Sequence, residues 1–173
     1  MLRKLVTIFF IALPILSFAN KPTLNDVLIQ NNQCVGKVEF KKWFFDVYDA
    51  ELLTQNGRFS WEQPFVLKIH YLMNFKSKTI ANSAISEISK QHKVEVRENK
   101  TKYSEIIDSV IPNIKKNSDL YGYMDKDGYA YIFTRDKLVG KIKDKQLSRY
   151  FFEIWLSDKT SHHIMSTKLR GIK

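Results

Sequence analysis

One cysteine, four prolines and six glycines among 173 residues leave little from which a stapled fold can be built. With Cys34 as the only thiol no internal disulfide can close, which excludes the small cystine-held scaffolds of secreted proteins. Cys34 itself reads as an inert, buried core residue, the usual place of a free cysteine. The chain has no internal repeat, no low-complexity segment, and no Gly-x-Ser-x-Gly elbow, phosphate loop or dinucleotide fingerprint. Metal sites are also missing. His162 and His163 are neighbours on an expected helix, about 100° apart, and cannot chelate one ion together. Asp125-Lys-Asp-Gly128 starts like a calcium loop, but the later glutamate is absent and Asp136 and Asp144 are misplaced, so it reads as a turn. No metal or other cofactor is expected.

What is present begins with a leader. Arg3 and Lys4 precede an apolar run from Leu5 to Leu16, and Ser17-Phe18-Ala19 puts small residues where a signal peptidase reads. The run falls short of the roughly 20 residues of a bilayer span and contains Pro14. Residues 1–19 are therefore expected to be a cleaved signal peptide, and the absence of a cysteine at the cleavage point argues against a lipid anchor. A single thiol suits a bacterial periplasm. Residues 20–173 make one domain, long enough to bury about 68–70% of the unfolded surface without a staple.

Charge narrows the partners. The chain carries 28 basic and 18 acidic residues, and losing Arg3 and Lys4 lowers the net charge from +10 to +8. Export removes nucleic acid as a natural partner of that charge. A small anionic ligand, peripheral contact with an anionic membrane surface, or plain solubility remain. The lysines are scattered, with short clusters at Lys41-Lys42, Lys115-Lys116 and Lys141/Lys143/Lys145, so most read as solvated surface.

Periodicity then orders the domain. Residues 36–42 and 43–54 look extended and lead to a turn at Asn56-Gly57. Phe65, Leu67, Ile69, Tyr71 and Met73 alternate as the apolar face of a strand, with Lys68 and His70 on the other side. Ile80, Ala84, Ile85 and Ile88 predict a helix over 78–91, capped by Ser77, with Asn82, Glu87 and Lys90 on its opposite face. A second helix is expected over 102–110, ended by Pro112. Residues 120–124, 129–134 and 138–142 read as a meander, with a hairpin turn at Asp125–Gly128. Two helices close the chain, over 144–156 (Leu147, Phe151, Ile154 and Trp155 inward) and over 161–169, the latter capped by Thr160 or Ser161. Glu153 and Lys159 are expected at the surface. This order implies an α+β fold, a large antiparallel sheet covered on one side by helices, with a cleft between the layers as the natural ligand site.

These elements, and the segments that carry them, resemble the chalcone isomerase-like family, in particular its exported bacterial branch. The matching segments are Phe44-Phe-Asp-Val-Tyr-Asp-Ala50, Pro64-Phe-Val-Leu-Lys-Ile-His-Tyr71, Ser83 with Ser86-Glu87-Ile88, Ile111-Pro112, Leu138-Val-Gly-Lys-Ile142 and Phe151-Phe-Glu-Ile-Trp-Leu-Ser-Asp-Lys-Thr160. The resemblance implies an open-faced β-sandwich whose members include ring-closing enzymes and plastid proteins that bind fatty acids in the same cleft. The enzymes hold and polarise substrate with an arginine, a threonine and a tyrosine. Here those positions fall at Cys34 or Val35, at Asp46 and near Lys78, and none of the three roles carries over.

The run Phe40–Leu53 holds the candidate polar groups. Strands are poor in carboxylates, yet this one carries Asp46 and Asp49. Alternation points Asp46 and Tyr48 to one face and Asp49 to the other. Asp46 has two roles open to it: a structural acceptor for Tyr71 or a lysine on a neighbouring strand, or half of a proton-transfer pair with Tyr48. The reading is an exported, non-catalytic protein that holds a small amphipathic or fatty-acid-type ligand, with Asp46, Tyr48 and Tyr71 as the ligand-binding residues and no catalytic residue assigned. The alternatives are an isomerase or intramolecular-lyase-type enzyme using a different proton-transfer set in the same cleft, and an envelope interaction module.

Overall fold

The two-residue periods become six strands: β1 (Gln33–Lys42), β2 (Phe45–Thr54), β3 (Phe65–Tyr71), β4 (Ser118–Met124), β5 (Ala130–Thr134) and β6 (Leu138–Ile142). The computed structural model describes residues 21–42 and 44–172. The expected signal peptide, residues 1–19, lies outside the described residues. Each strand pairs antiparallel with the next, so sheet order follows chain order even where two helices separate β3 from β4. Tight turns fall where the sequence supplies glycine at positive φ, Gly57 (69°) and Gly128 (82°). At the latter, Asp125 Oδ1 accepts from the N–H groups of Asp127 and Tyr129 at 2.9 and 2.8 Å, which commits the carboxylate to the turn.

The helices are α1 (Leu24–Gln30), α2 (Ser77–Gln91), α3 (Lys93–Val110), α4 (Lys145–Leu156) and α5 (His163–Leu169). Helix α4 is amphipathic as expected: Leu147, Phe151, Ile154 and Trp155 are buried, and Asp144 caps it by accepting from Leu147 N at 3.0 Å. Its Phe152 meets Phe65 edge-on at 4.9 Å in the centre of the core, where burying one such side chain is worth about 1.5–3 kcal/mol. The C-terminal end of α5 packs directly on β1. A Cβ at Gly36 would lie 2.0 Å from the carbonyl oxygen of Lys168, so only glycine admits the contact.

Several expectations are corrected. Helix α3 starts at Lys93 rather than Lys102, because its first turns are polar and bury only Val96. Ser77 is the first residue of α2 and not its cap; its N–H is taken by Asn113 Oδ1 at 3.0 Å. Met73 lies beyond the end of β3, where alternation no longer applies, and is exposed. Cys34 is exposed too. The β1–β2 ladder slips between Cys34 and Gly36, and that irregularity turns the thiol out of the core. Burial of its surroundings and then Glu51 push the thiol's pKa up, away from the reactive thiolate.

Helix α1 has too few residues and too few apolar positions to announce itself. Its Val27 packs with Val66, Tyr121, Tyr123 and Phe133. These side chains alternate with those facing α2 to α5, so α1 covers part of the opposite face of the sheet.

Candidate ligand-binding cleft

The register that builds the sheet lines up three aromatic side chains across it. Phe40 on β1 pairs with Tyr48 on β2, which pairs with Tyr71 on β3. Phe40 and Tyr48 stack at 4.8 Å, and Tyr48 meets Tyr71 edge-on at 6.0 Å. Above this row a cleft of about 800 Å³ separates the sheet from the helices. Ile80 and Ala84 of α2, Phe151, Ile154 and Trp155 of α4, and Met165 of α5 form its other walls, together with Phe75. Lys41, Lys42, Lys90 and His162 supply its cationic and imidazole edges.

Thr79, Asn82, Ser83 and Ser86 add polar side chains along the α2 side, and Tyr48, Glu87, Lys41 and Lys90 are the lining groups held by hydrogen bonds or ion pairs. The Tyr48 hydroxyl accepts from Trp155 Nε1 at 3.0 Å and donates to Met165 Sδ at 3.6 Å. Burial raises the pKa of Tyr48 strongly, with the indole N–H opposing in part, so the phenol stays neutral. Burial, and then the neighbouring Tyr48, do the same to Tyr71. The Tyr71 hydroxyl has no hydrogen-bond partner among the described residues, which leaves a neutral donor available to a ligand.

Of the three candidate polar residues, Tyr48 and Tyr71 therefore come together and Asp46 does not join them. The ladder slips between Phe40 and Lys41, setting Lys41 opposite Asp46. The ammonium takes the carboxylate at 2.9 Å, and Asp46 remains 57% exposed outside the cleft lining. The lysine partner open to Asp46 in the sequence is the one it has, and the Asp46–Tyr48 proton-transfer pair is not assembled. Cys34, Val35 and Lys78, the other positions compared with the enzymes, are also absent from the lining, as is every arginine of the described residues.

Glu87 is the polar residue that the sequence reading misplaced. It is 6% exposed and faces the cleft. Ile80, Ala84, Glu87 and Gln91 follow the i, i+4, i+7, i+11 spacing of one helix face, so the signal was the helical phase itself. Its carboxylate accepts from Ser161 N and Oγ at 2.8 Å each, and from Lys90 Nζ at 3.1 Å. Burial alone would raise its pKa; the Ser161 and Lys90 contacts outweigh that and lower it. The carboxylate thus ties the α2 wall to the segment entering α5. Glu153, expected at the surface, is likewise drawn in: it binds His92 Nε2 at 2.6 Å and Arg149 Nε at 2.8 Å, pinning the α2–α3 junction to α4.

On the other face of the sheet Asp49 joins Lys37, Glu39, Glu51, Lys68 and His70 around a second concavity of about 750 Å³. His70 Nδ1 lies 2.7 Å from Asp119 Oδ1, and Arg135 holds the other oxygen at 3.0 Å. Burial would raise the pKa of Asp119, but His70 and Arg135 bring it down, the signature of an ion pair that is structurally satisfied. Among the described residues no cluster of three or more His, Cys, Asp or Glu has a metal-holding arrangement, and no helix is long and apolar enough to cross a membrane.

Comparison with known proteins places this geometry. A solved structure of a fatty-acid binding protein from Arabidopsis thaliana superposes with a TM-score of 0.55 at 9% identity, covering 80% of this chain and 84% of that one. At that identity the likeness is one of fold. No curated protein matches the sequence. The family model described as chalcone isomerase-like matches residues 37–170, from β1 to the end of α5. By that match, and by the six-stranded sheet under its helical layer, the chain belongs to the chalcone isomerase-like family.

Proposed function

We propose that this protein is an exported, non-catalytic member of the family that binds a small amphipathic ligand of the fatty-acid type in the cleft between sheet and helices. One observation carries the reading: a single cleft of about 800 Å³ combines aromatic and aliphatic walls with lysines at its edge. Its size falls within the roughly 300–1,000 Å³ of small-molecule sites. Each methylene of an acyl chain buried there contributes about 0.8 kcal/mol. Lys41, Lys42 and Lys90 suit an anionic head group, and the Tyr71 hydroxyl, without a partner among the described residues, adds a directional donor. Tyr48 shapes the floor, its hydroxyl already committed to Trp155. Asp46 acts indirectly, holding the Lys41 ammonium at the cleft's edge. The fatty-acid binding function of the Arabidopsis thaliana neighbour agrees with this ligand class.

Support for a non-catalytic role comes from the same side chains. A neutral, hydrogen-bonded Tyr48 is a poor base, and Asp46 is spent on Lys41 outside the lining. The leader, with Arg3-Lys4, the Leu5–Leu16 run and Ser17-Phe18-Ala19, supports export to the periplasm. The test is native mass spectrometry of protein expressed with its leader, followed by titration of the delipidated protein with palmitate and oleate. A mass beginning at Asn20 and one acid bound per chain are expected. A chain that retains no acid and binds neither would remove the ligand reading.

A further inference from the structure

Of the connections at the end of the sheet beside the cleft, three meet: the β1–β2 turn, the β3–α2 segment and the α3–β4 segment. Lys42 and Phe45 close the first. Leu72 N donates to Val47 O at 3.0 Å, Phe75 bridges to Ile114, and Lys116 N donates to Asn74 Oδ1 at 2.8 Å, so the three form one surface. That surface is apolar at its apex. Phe44 is 97% exposed and Phe45 65%, and Met73, two residues past the end of β3, is 37% exposed. The other exposed large apolar side chains among the described residues, Ile29, Val94, Ile164 and Ile172, lie outside these segments.

The same three segments are strongly basic. With the adjoining ends of their strands and helix, residues 41–46, 72–78 and 111–117 carry the exposed Lys41, Lys42, Lys76, Lys78, Lys115 and Lys116, and their one carboxylate, Asp46, is bonded to Lys41. Counted with adjoining element ends in the same way, the opposite end of the sheet, 53–66, 123–131 and 141–146, holds five basic residues against four acidic ones. The positive charge, scattered along the sequence, is therefore gathered in space at the end that also exposes two phenylalanines.

We infer that this end of the molecule docks on an anionic lipid bilayer, with Phe44, Phe45 and Met73 entering the boundary between head groups and acyl chains and the lysines meeting the lipid phosphates. Aromatic rings ringed by lysines fit that interface, because the rings leave water while the ammonium groups stay in it. Each lysine near an anionic surface strengthens binding about fivefold. A soluble polyanion would satisfy the lysines but leave the phenylalanines uncovered. The docking stands on this surface alone; only its consequence rests on the proposed ligand. Lys42, Val47 and Phe75 also line the cleft, so docking would set its edge against the membrane and let an acyl chain pass between them.

Flotation of the protein with vesicles of phosphatidylcholine, alone or mixed with phosphatidylglycerol, tests the docking, and palmitate titration in solution is measured in parallel. Flotation with the mixed vesicles alone, lost in high salt, is expected. The double variant Phe44→Ser/Phe45→Ser should partition about tenfold more weakly, with unchanged palmitate affinity and melting temperature, and Lys115→Gln/Lys116→Gln should also weaken it. Equal flotation with neutral vesicles, none with either, or an unaffected double variant overturns the inference. So does tighter retention of soluble polyphosphate than of vesicles, or a dimer that the double variant abolishes, since a second copy would then cover the rings. A protein that floats but binds no palmitate would retain the docking and remove the ligand reading.

Discussion

Glu87 sits in a cleft that we assign to an anionic head group, and its own charge has to be offset. Ser161 and Lys90 do this, with Gln91 Nε2 adding a contact at 3.2 Å and Thr160 Oγ1 one at 3.3 Å. Replacing it with alanine leaves the part-buried Ser161 peptide N–H without its acceptor and releases the α2 wall from the segment before α5. Glu87→Ala is expected to lose about 2–3 kcal/mol in urea unfolding, as charged hydrogen bonds are worth. Glu87→Gln, which keeps an acceptor, should lose less. Acid makes the same point without mutation. Glu87 and Asp119 both titrate lower in the folded chain than unfolded, so on acidification the unfolded chain takes up protons first. Their contribution is complete above about pH 5 and is lost as pH falls through their folded values. Melting temperature should therefore drop below about pH 5, and the drop should be shallower in Glu87→Gln and in Asp119→Asn.

Between elements, the contact that fixes the cleft's far wall is α5 on β1. It depends on the absence of a side chain at Gly36, where a Cβ would meet the carbonyl oxygens of Lys168 at 2.0 Å and Leu169 at 2.7 Å. Backbone cannot swing aside as a side chain can. Gly36→Ala is expected to cost about 1–3 kcal/mol and to speed amide exchange in His163–Leu169 more than in α4. Alternation and amphipathicity made the strands and α4 legible in the sequence, because those residues face one environment along their whole length. The elements that escaped lack that contrast: α1 buries Val27 alone, and the first turns of α3 bury only Val96. The side of Glu87 was legible in the helical phase but was overruled by its charge. Its Thr160 and Ser161 donors lie more than seventy residues away, beyond any local pattern.

At the scale of the molecule, the cleft's aromatic row was half legible. Tyr48 and Tyr71 were within reach of alternation. Phe40 and the displacement of Asp46 were not, because both follow from one slip in the β1–β2 register. The positive end of the sheet was hidden for a related reason: its lysines are far apart in the chain and adjacent only after folding. The claim on which the rest depends is that an acyl chain enters the space between Tyr71 and α2. Filling that space should prevent entry without unfolding the protein. The direct measurement is a titration of palmitate into wild type, Tyr71→Phe and Ala84→Trp, with melting temperatures recorded for each. The account expects one site in wild type, about fivefold weaker binding in Tyr71→Phe for one lost hydrogen bond, and no binding in a folded Ala84→Trp. Undiminished binding by a folded Ala84→Trp would contradict it.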